Sequence, residues 1–156
     1  MLAVNPRAVY YGVDVSEAGL AAASKNLPQA VFLKTADGEK LPLPSDSIDV
    51  VFASEVLEHI YDTENAFSEI ARVLKPNGLL LITVPYHGLI KNLLIVLFAF
   101  DAHFSPTGAH IRFFSKRSLL SCLKRSHMAP LKAGYLGRFF PVPCSIFVLA
   151  RKRISG

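Results

Sequence analysis

The chain has 156 residues, 51% of them apolar and 19% charged, with a net charge of +5. That is enough for one domain with a real core, and the apolar content excludes an intrinsically disordered chain. Two cysteines, Cys122 and Cys144, make no disulfide framework and lack the close spacing of a zinc knuckle.

The start, MLAVNPRAVYY, carries no apolar h-region, so a cytoplasmic setting is the expectation. Ala8 to Val15 is β-branched and aromatic and bounded by Pro6 and Ser16, which predicts a buried strand. Ser16 is placed to cap a helix over Glu17 to Asn26, with Pro28 just beyond. Ala30 to Thr35 reads as a second strand. Leu41-Pro42-Leu43-Pro44 is an extended connection, because two prolines exclude helix there. Ile48 to Ala53 is a third strand. Glu64 to Leu74 has apolar residues at helical spacing, with Asp62 or Thr63 as N-cap and Gly78 as the natural stop. Leu79 to Val84 is the fourth strand.

Leu93 to Phe100 is a continuous apolar run, far short of the roughly 20 residues of a membrane span. It suits a buried helix, or a lid that touches membrane or a hydrophobic substrate. Ser115 caps a helix over Lys116 to Ser126. Leu131 to Leu136 and Ser145 to Ala150 are two more strands, joined through the loop Gly137 to Pro143. Residues 102–156 carry 10 basic groups and no acid, against 12 acidic and 7 basic in residues 1–101. This is either a basic face for an acidic partner or a solvated helix face with a basic tail. No nucleic-acid-binding motif appears, so no nucleic acid is expected as a partner.

Strands alternating with helices predict βαβ units and a mostly parallel sheet, and the last two strands predict an antiparallel pair at one edge. Ligands of such sheets bind outside the carboxyl ends of the strands. Three strand ends there are polar: Asp14-Val15, Asp37-Gly38, and Ser54-Glu55 running on to His59. A carboxylate at Asp14 suits vicinal ribose hydroxyls, and is equally an ordinary helix-start residue. Asp37 suits a purine exocyclic amine, although Asp-Gly is also a common turn. Glu55, Glu58, His59 and Asp62 do not have zincin spacing, and no metal is expected.

In this order the residues resemble class I S-adenosylmethionine-dependent methyltransferases of the small-molecule type. Tyr11-Gly12-Val13-Asp14-Val15-Ser16 resembles the motif whose acid holds the cofactor ribose. Ala36-Asp37-Gly38 with Leu41-Pro42-Leu43 resembles the adenine side, and Ile48 to His59 the strand that lines the methionine end. Leu74-Lys75-Pro76-Asn77-Gly78-Leu79-Leu80 resembles the turn into the next strand. The resemblance implies a Rossmann-like α/β fold and S-adenosyl-L-methionine as cofactor. It assigns Asp14, Val15, Asp37, Gly38, Ser54 and Glu55 to cofactor binding. The family also opens with a strand and a glycine-rich loop, and no G-x-G precedes Asp14. The expectation is therefore a single N-terminally truncated domain over residues 1–156, with a lid-like insert at about 87–115.

The implied function is methyl transfer to a small acceptor, with activity either intact or lost through truncation. The apolar insert would suit a lipid or prenylated acceptor, and a core helix equally. The proton acceptor is open among His87, His103 and His110, and Tyr86 and His110 would line the acceptor. The alternative is a non-catalytic remnant that needs a partner chain, or a second copy of itself, to complete its sheet. A nicotinamide-dinucleotide domain also accounts for an acid after a strand, but not for the Leu74-to-Leu80 turn or the terminal strand pair.

Overall fold

The computed structural model describes residues 5, 7–36, 40–98, 111–137 and 144–154. The chain divides into two compact units, Met1–Pro42 and Leu43–Gly156.

The first unit is a small βαβ element: β1 (Tyr11–Asp14), α1 (Glu17–Asn26) and β2 (Val31–Lys34). The strands pair in parallel from Tyr11↔Val31 to Asp14↔Lys34. Ser16 caps α1 as expected, its Oγ accepting from the Gly19 amide at 3.1 Å. Both strands are shorter than the β-branched runs predict. A strand persists only while it has a partner, and backbone bonds from Val31 N to Tyr10 O and from Thr35 N to Asp14 O mark the two ends of this ladder. No described residue of this unit is buried.

The second unit holds β3 (Ile48–Ser54), a 3₁₀ turn (Leu57–His59), α2 (Thr63–Val73), β4 (Leu74–Pro85) and α3 (Leu89–Phe98). It continues with α4 (Lys116–Arg125), β5 (Met128–Leu136) and β6 (Ser145–Lys152). Its sheet runs β3-β4-β6-β5. β3 and β4 are parallel, whereas β6 runs antiparallel to both β4 and β5. The fold is thus α/β with a mixed sheet, and the antiparallel terminal pair is present.

Successive strand residues face opposite ways, and the two faces of this sheet differ. Leu80, Ile82 and Val84 are buried together with their ladder partners Ala150, Val148 and Ile146. Phe67, Ile70 and Val73 of α2 and Leu119 and Leu123 of α4 are buried with them, each such side chain contributing about 1.5–3 kcal/mol. On the other face Val50 and Phe52 of β3 are 58% and 63% exposed. Beside them Leu79, Leu81, Phe147 and Leu149 are half-buried. This second face is not covered to the depth of the first.

Three expectations are corrected. The strand expected to be buried over Ala8 to Val15 is β1, Tyr11–Asp14, and none of it is buried. The α2 helix ends at Val73, within one residue of the expected Leu74, without using Gly78 as its stop. The cause is Pro76: proline disfavours helical geometry in the residue before it, and Leu74 already has extended angles (φ −67, ψ 134). The ladder then jumps from Ile48↔Leu74 to Val50↔Leu79, so Lys75 to Gly78 bulge out of β4, with Asn77 at φ 65. The apolar run from Leu93 is also not a buried helix. It lies in α3, which has no buried residue; Ala99 and Phe100, at the end of the run, lie outside the described residues.

Candidate functional site at the strand ends

In the first unit the carboxyl end of β1 carries Asp14 and Val15, both exposed. Asp14 Oδ1 accepts the Ser16 amide at 2.8 Å. This is the helix-start role, and it occupies one oxygen and fixes the carboxylate at the strand end. Glu17 is paired with Lys34 at 2.6 Å across the top of the two strands. Asp37 and Gly38 lie outside the described residues.

In the second unit β3 and β4 are parallel, so their carboxyl ends share one edge of the sheet. Ser54 closes β3, and its Oγ is 2.8 Å from Thr83 Oγ1 on β4. Glu55 follows at φ 51, with its amide donating to Thr83 O at 2.9 Å. A left-handed glutamate costs about 1–3 kcal/mol and persists only where its surroundings over-determine it. The turn breaks the strand so that the chain leaves the sheet at this point. Leu57 and Glu58 then enter the core. His59 Nε2 stands 3.7 Å from Glu58 Oε1.

Tyr86 and His87 follow β4. The Tyr86 amide donates to Cys144 O at 2.9 Å, and its ring meets Tyr135 edge-on at 5.2 Å. His87 meets Phe113 in the same way at 4.7 Å. The Lys91 ammonium donates to Tyr86 O at 2.8 Å, and Lys116 Nζ lies 5.6 Å from the centre of the Tyr135 ring. The amides of Ile111 and Arg112 both donate to Glu58 O at 3.1 Å. They tie the segment before α4 to the turn after β3. Arg112 also donates to Tyr61 O and stacks over the Tyr61 ring. A cavity of about 350 Å³ opens beside these groups, lined by Tyr61, Asp62, Arg112, Phe113, Ser118 and Cys122 among others. Phe113, in contact with His87, also belongs to that lining.

Ser54, Glu55, Tyr86 and His87 thus share one sheet edge in the second unit, and Asp14 and Val15 belong to the first. His103 and His110 lie outside the described residues. Among the described residues no group of His, Cys, Asp and Glu has the geometry of a metal site. Thr83, Phe113 and Lys91 were not expected at the site. Thr83 faces Ser54 only through the β3–β4 register, which no local pattern encodes.

Residues 1–82 match the family described as a methyltransferase domain. Over 74 residues the chain is 38% identical to "Probable S-adenosylmethionine-dependent methyltransferase" of Mycolicibacterium smegmatis, covering 47% of this chain and 28% of that protein. It is also 38% identical over 66 residues to sterol 24-C-methyltransferase ERG6B of Gibberella zeae, covering 42% of this chain and 17% of the relative. The chain therefore spans less than a third of the length of these relatives. A solved SAM-dependent methyltransferase from Methanosarcina mazei has the same fold, with a TM-score of 0.73 at 15% identity, over 93% of this chain and 82% of the other.

Proposed function

This chain belongs to the methyltransferase domain family matched by its residues 1–82, of the class I, S-adenosylmethionine-dependent kind, and from that premise we propose that it transfers a methyl group to a small, hydrophobic acceptor. The observation that carries the reading is the strand order, in which antiparallel β6 lies between β4 and β5 beside parallel β3 and β4. Continuous parallel winding of the dinucleotide-binding kind does not produce that order.

The described residues fit the adenosine half of the family's cofactor. Asp14 stands at a strand end, oriented by the Ser16 amide on one oxygen only, and its other oxygen suits a ribose hydroxyl. The family's glycine-rich loop at the methionine end has no G-x-G counterpart in this sequence. When bound, S-adenosylmethionine supplies an activated methyl carbon on a sulfonium.

The chain's own residues supply alignment and proton handling. Ser54, held by Thr83, and Glu55, in its left-handed turn, form the wall at the end of β3. Tyr86 lines the acceptor side. An acceptor hydroxyl or amine loses its proton as it gains the methyl, and of the candidates His87, His103 and His110 we assign that proton to His87, the one that lies within the described residues. In the segment at about 87–115 read as a lid, residues 99–110 lie outside the described residues, and its exposed apolar α3 supports a hydrophobic acceptor.

Calorimetric titration with S-adenosylhomocysteine tests this reading. The expected result is micromolar binding that Asp14→Ala weakens by about tenfold, the effect of losing a charged hydrogen bond. Absence of binding overturns the reading for this chain.

A second reading has its own observation. Among the described residues β3 has a ladder partner on one side only, and its Val50 and Phe52 are exposed. Such an edge accepts a strand from another chain, so a module completed by a partner or a second copy also accounts for it. Light scattering that shows a stable dimer, together with no cofactor binding, would favour it.

A further inference from the structure

Among the described residues the half-buried lysines are Lys75, Lys91, Lys116 and Lys152. Lys75 pairs with Asp49 and Lys152 with Asp46, and Lys91 donates to Tyr86 O. Lys116 differs from all three. Among the described residues no carboxylate pairs with it, and its Nζ lies 5.6 Å from the centre of the Tyr135 ring. Nor does this lysine serve its own helix. It opens α4, and no acid stands in that first turn. The N-terminal end of a helix carries partial positive charge, which a cation there opposes. A half-buried ammonium in such a place is costly until an anion joins it.

The groups around Lys116 adjoin the acceptor side of the candidate site. Tyr135 meets Tyr86 edge-on at 5.2 Å. The register Val84↔Ile146↔Tyr135 puts Tyr135 level with the carboxyl end of β4. Tyr86 is bounded on a second side by Gly88, where a Cβ would run into the phenol. His87, the assigned proton acceptor, is the next residue in the chain. Tyr135 is exposed and Tyr86 half-buried, so both rings are in part accessible. No acid occurs in α3 or anywhere in residues 102–156.

Two accessible rings beside an ammonium that has no carboxylate match a molecule that is apolar along its body and negative at one point. We propose that the methyl acceptor carries one anionic group, a carboxylate or a phosphate, which seats on Lys116 while its apolar part lies along Tyr86 and Tyr135. This names the acceptor class and rests on the methyltransferase reading; its test runs without cofactor, so either can fail alone.

The probes are decanoate, decyl phosphate and decan-1-ol, titrated calorimetrically into the whole chain at neutral pH and low salt. At least one anion should bind about tenfold more tightly than the alcohol, and the tighter anion identifies the group. Lys116→Gln should weaken that anion about tenfold and leave the alcohol unchanged, whereas Lys116→Arg should keep most of the affinity. Lys132→Gln, at an exposed lysine of β5, controls for general positive charge and should leave anion binding unchanged. Lys116→Gln should melt no lower than the parent, because it removes a cation from the head of α4, and should bind S-adenosylhomocysteine as the parent does. The proposal is overturned if neither anion binds, if the alcohol binds as tightly as both anions, if Lys116→Gln leaves anion binding intact, or if Lys132→Gln weakens it equally. Anion binding that depends on Lys116, in a chain that takes up no S-adenosylhomocysteine, would support the anion seat and overturn the methyltransferase reading instead.

Discussion

Gly78 occupies a position with no room for a side chain. A Cβ there would fall 2.8 Å from Lys75 O and 3.1 Å from Leu74 Cδ2, and the first contact is backbone that cannot move aside cheaply. Gly78→Ala should therefore destabilise the fold by about 1–3 kcal/mol, measured as a lower midpoint in urea at unchanged slope. Arg72 is the opposite case, a side chain with many partners: it binds Glu69 through two nitrogens at 2.7 Å and donates to Leu43 O at 2.9 Å. The hydrogen bond to Glu69 raises the Arg72 pKa above its ordinary value, with burial opposing. A raised pKa means that the stabilisation is fully present below the unfolded arginine's pKa and is lost only as pH rises through the folded one. No loss from this group should then appear across the neutral range. Arg72→Met should cost about 1.5–3 kcal/mol, and Arg72→Lys less, in thermal melts at neutral pH. Residue-scale features that are local were legible in the sequence: Ser16, Asp62 and Ser115 all cap the helices that follow them. The Ser54–Thr83 contact spans 29 positions and was not, because it exists only through a pairing register.

At the scale of the element, boundaries followed the strongest local constraint. The α4 helix begins at a capping box in which Ser115 Oγ accepts from the Ser118 amide and Ser118 Oγ accepts from the Ser115 amide, at 3.1 and 2.9 Å. Ser115→Ala should remove about 1 kcal/mol, seen in the melting temperature, and Ser115→Asp should restore most of it. In α2 two stop signals compete, Pro76 and Gly78. The proline acts first in the chain, and the glycine is used for close approach rather than for ending the helix. Hydropathy located α3, and of the two readings of its apolar run the buried helix is the one its exposure overturns. Apolar residues are buried only where an element covers them, and a continuous greasy run carries no period that says which face is covered. The strands were legible to within a few residues, since β-branched runs between turn residues fix them, whereas their pairing lengths depended on partners far along the chain.

At the scale of the whole molecule, the buried apolar side chains among the described residues all belong to the second unit. Local stability follows buried apolar contact. Amides of β1 and β2 should therefore exchange with deuterium well before those of β4 and β6, with protection factors lower by about a hundredfold or more; equal protection would show that the first unit shares the global stability. The fold class could be read from the alternation of strands and helices, and the family from motifs spread over Tyr11 to Tyr86. The split into two sheets could not, because it concerns which strands fail to pair. The position of β6 has a further consequence, for how the protein is made. It is the last described strand in the chain, yet it is hydrogen-bonded on both sides, to β4 and to β5. A ribosome delivers residues in order at about 5–20 per second, so β5 emerges with no neighbour in place. It must wait until Ser145–Lys152 slides between it and β4. Until then a nascent chain displays two strand edges at once, and any premature stop upstream of Ser145 leaves them open for good.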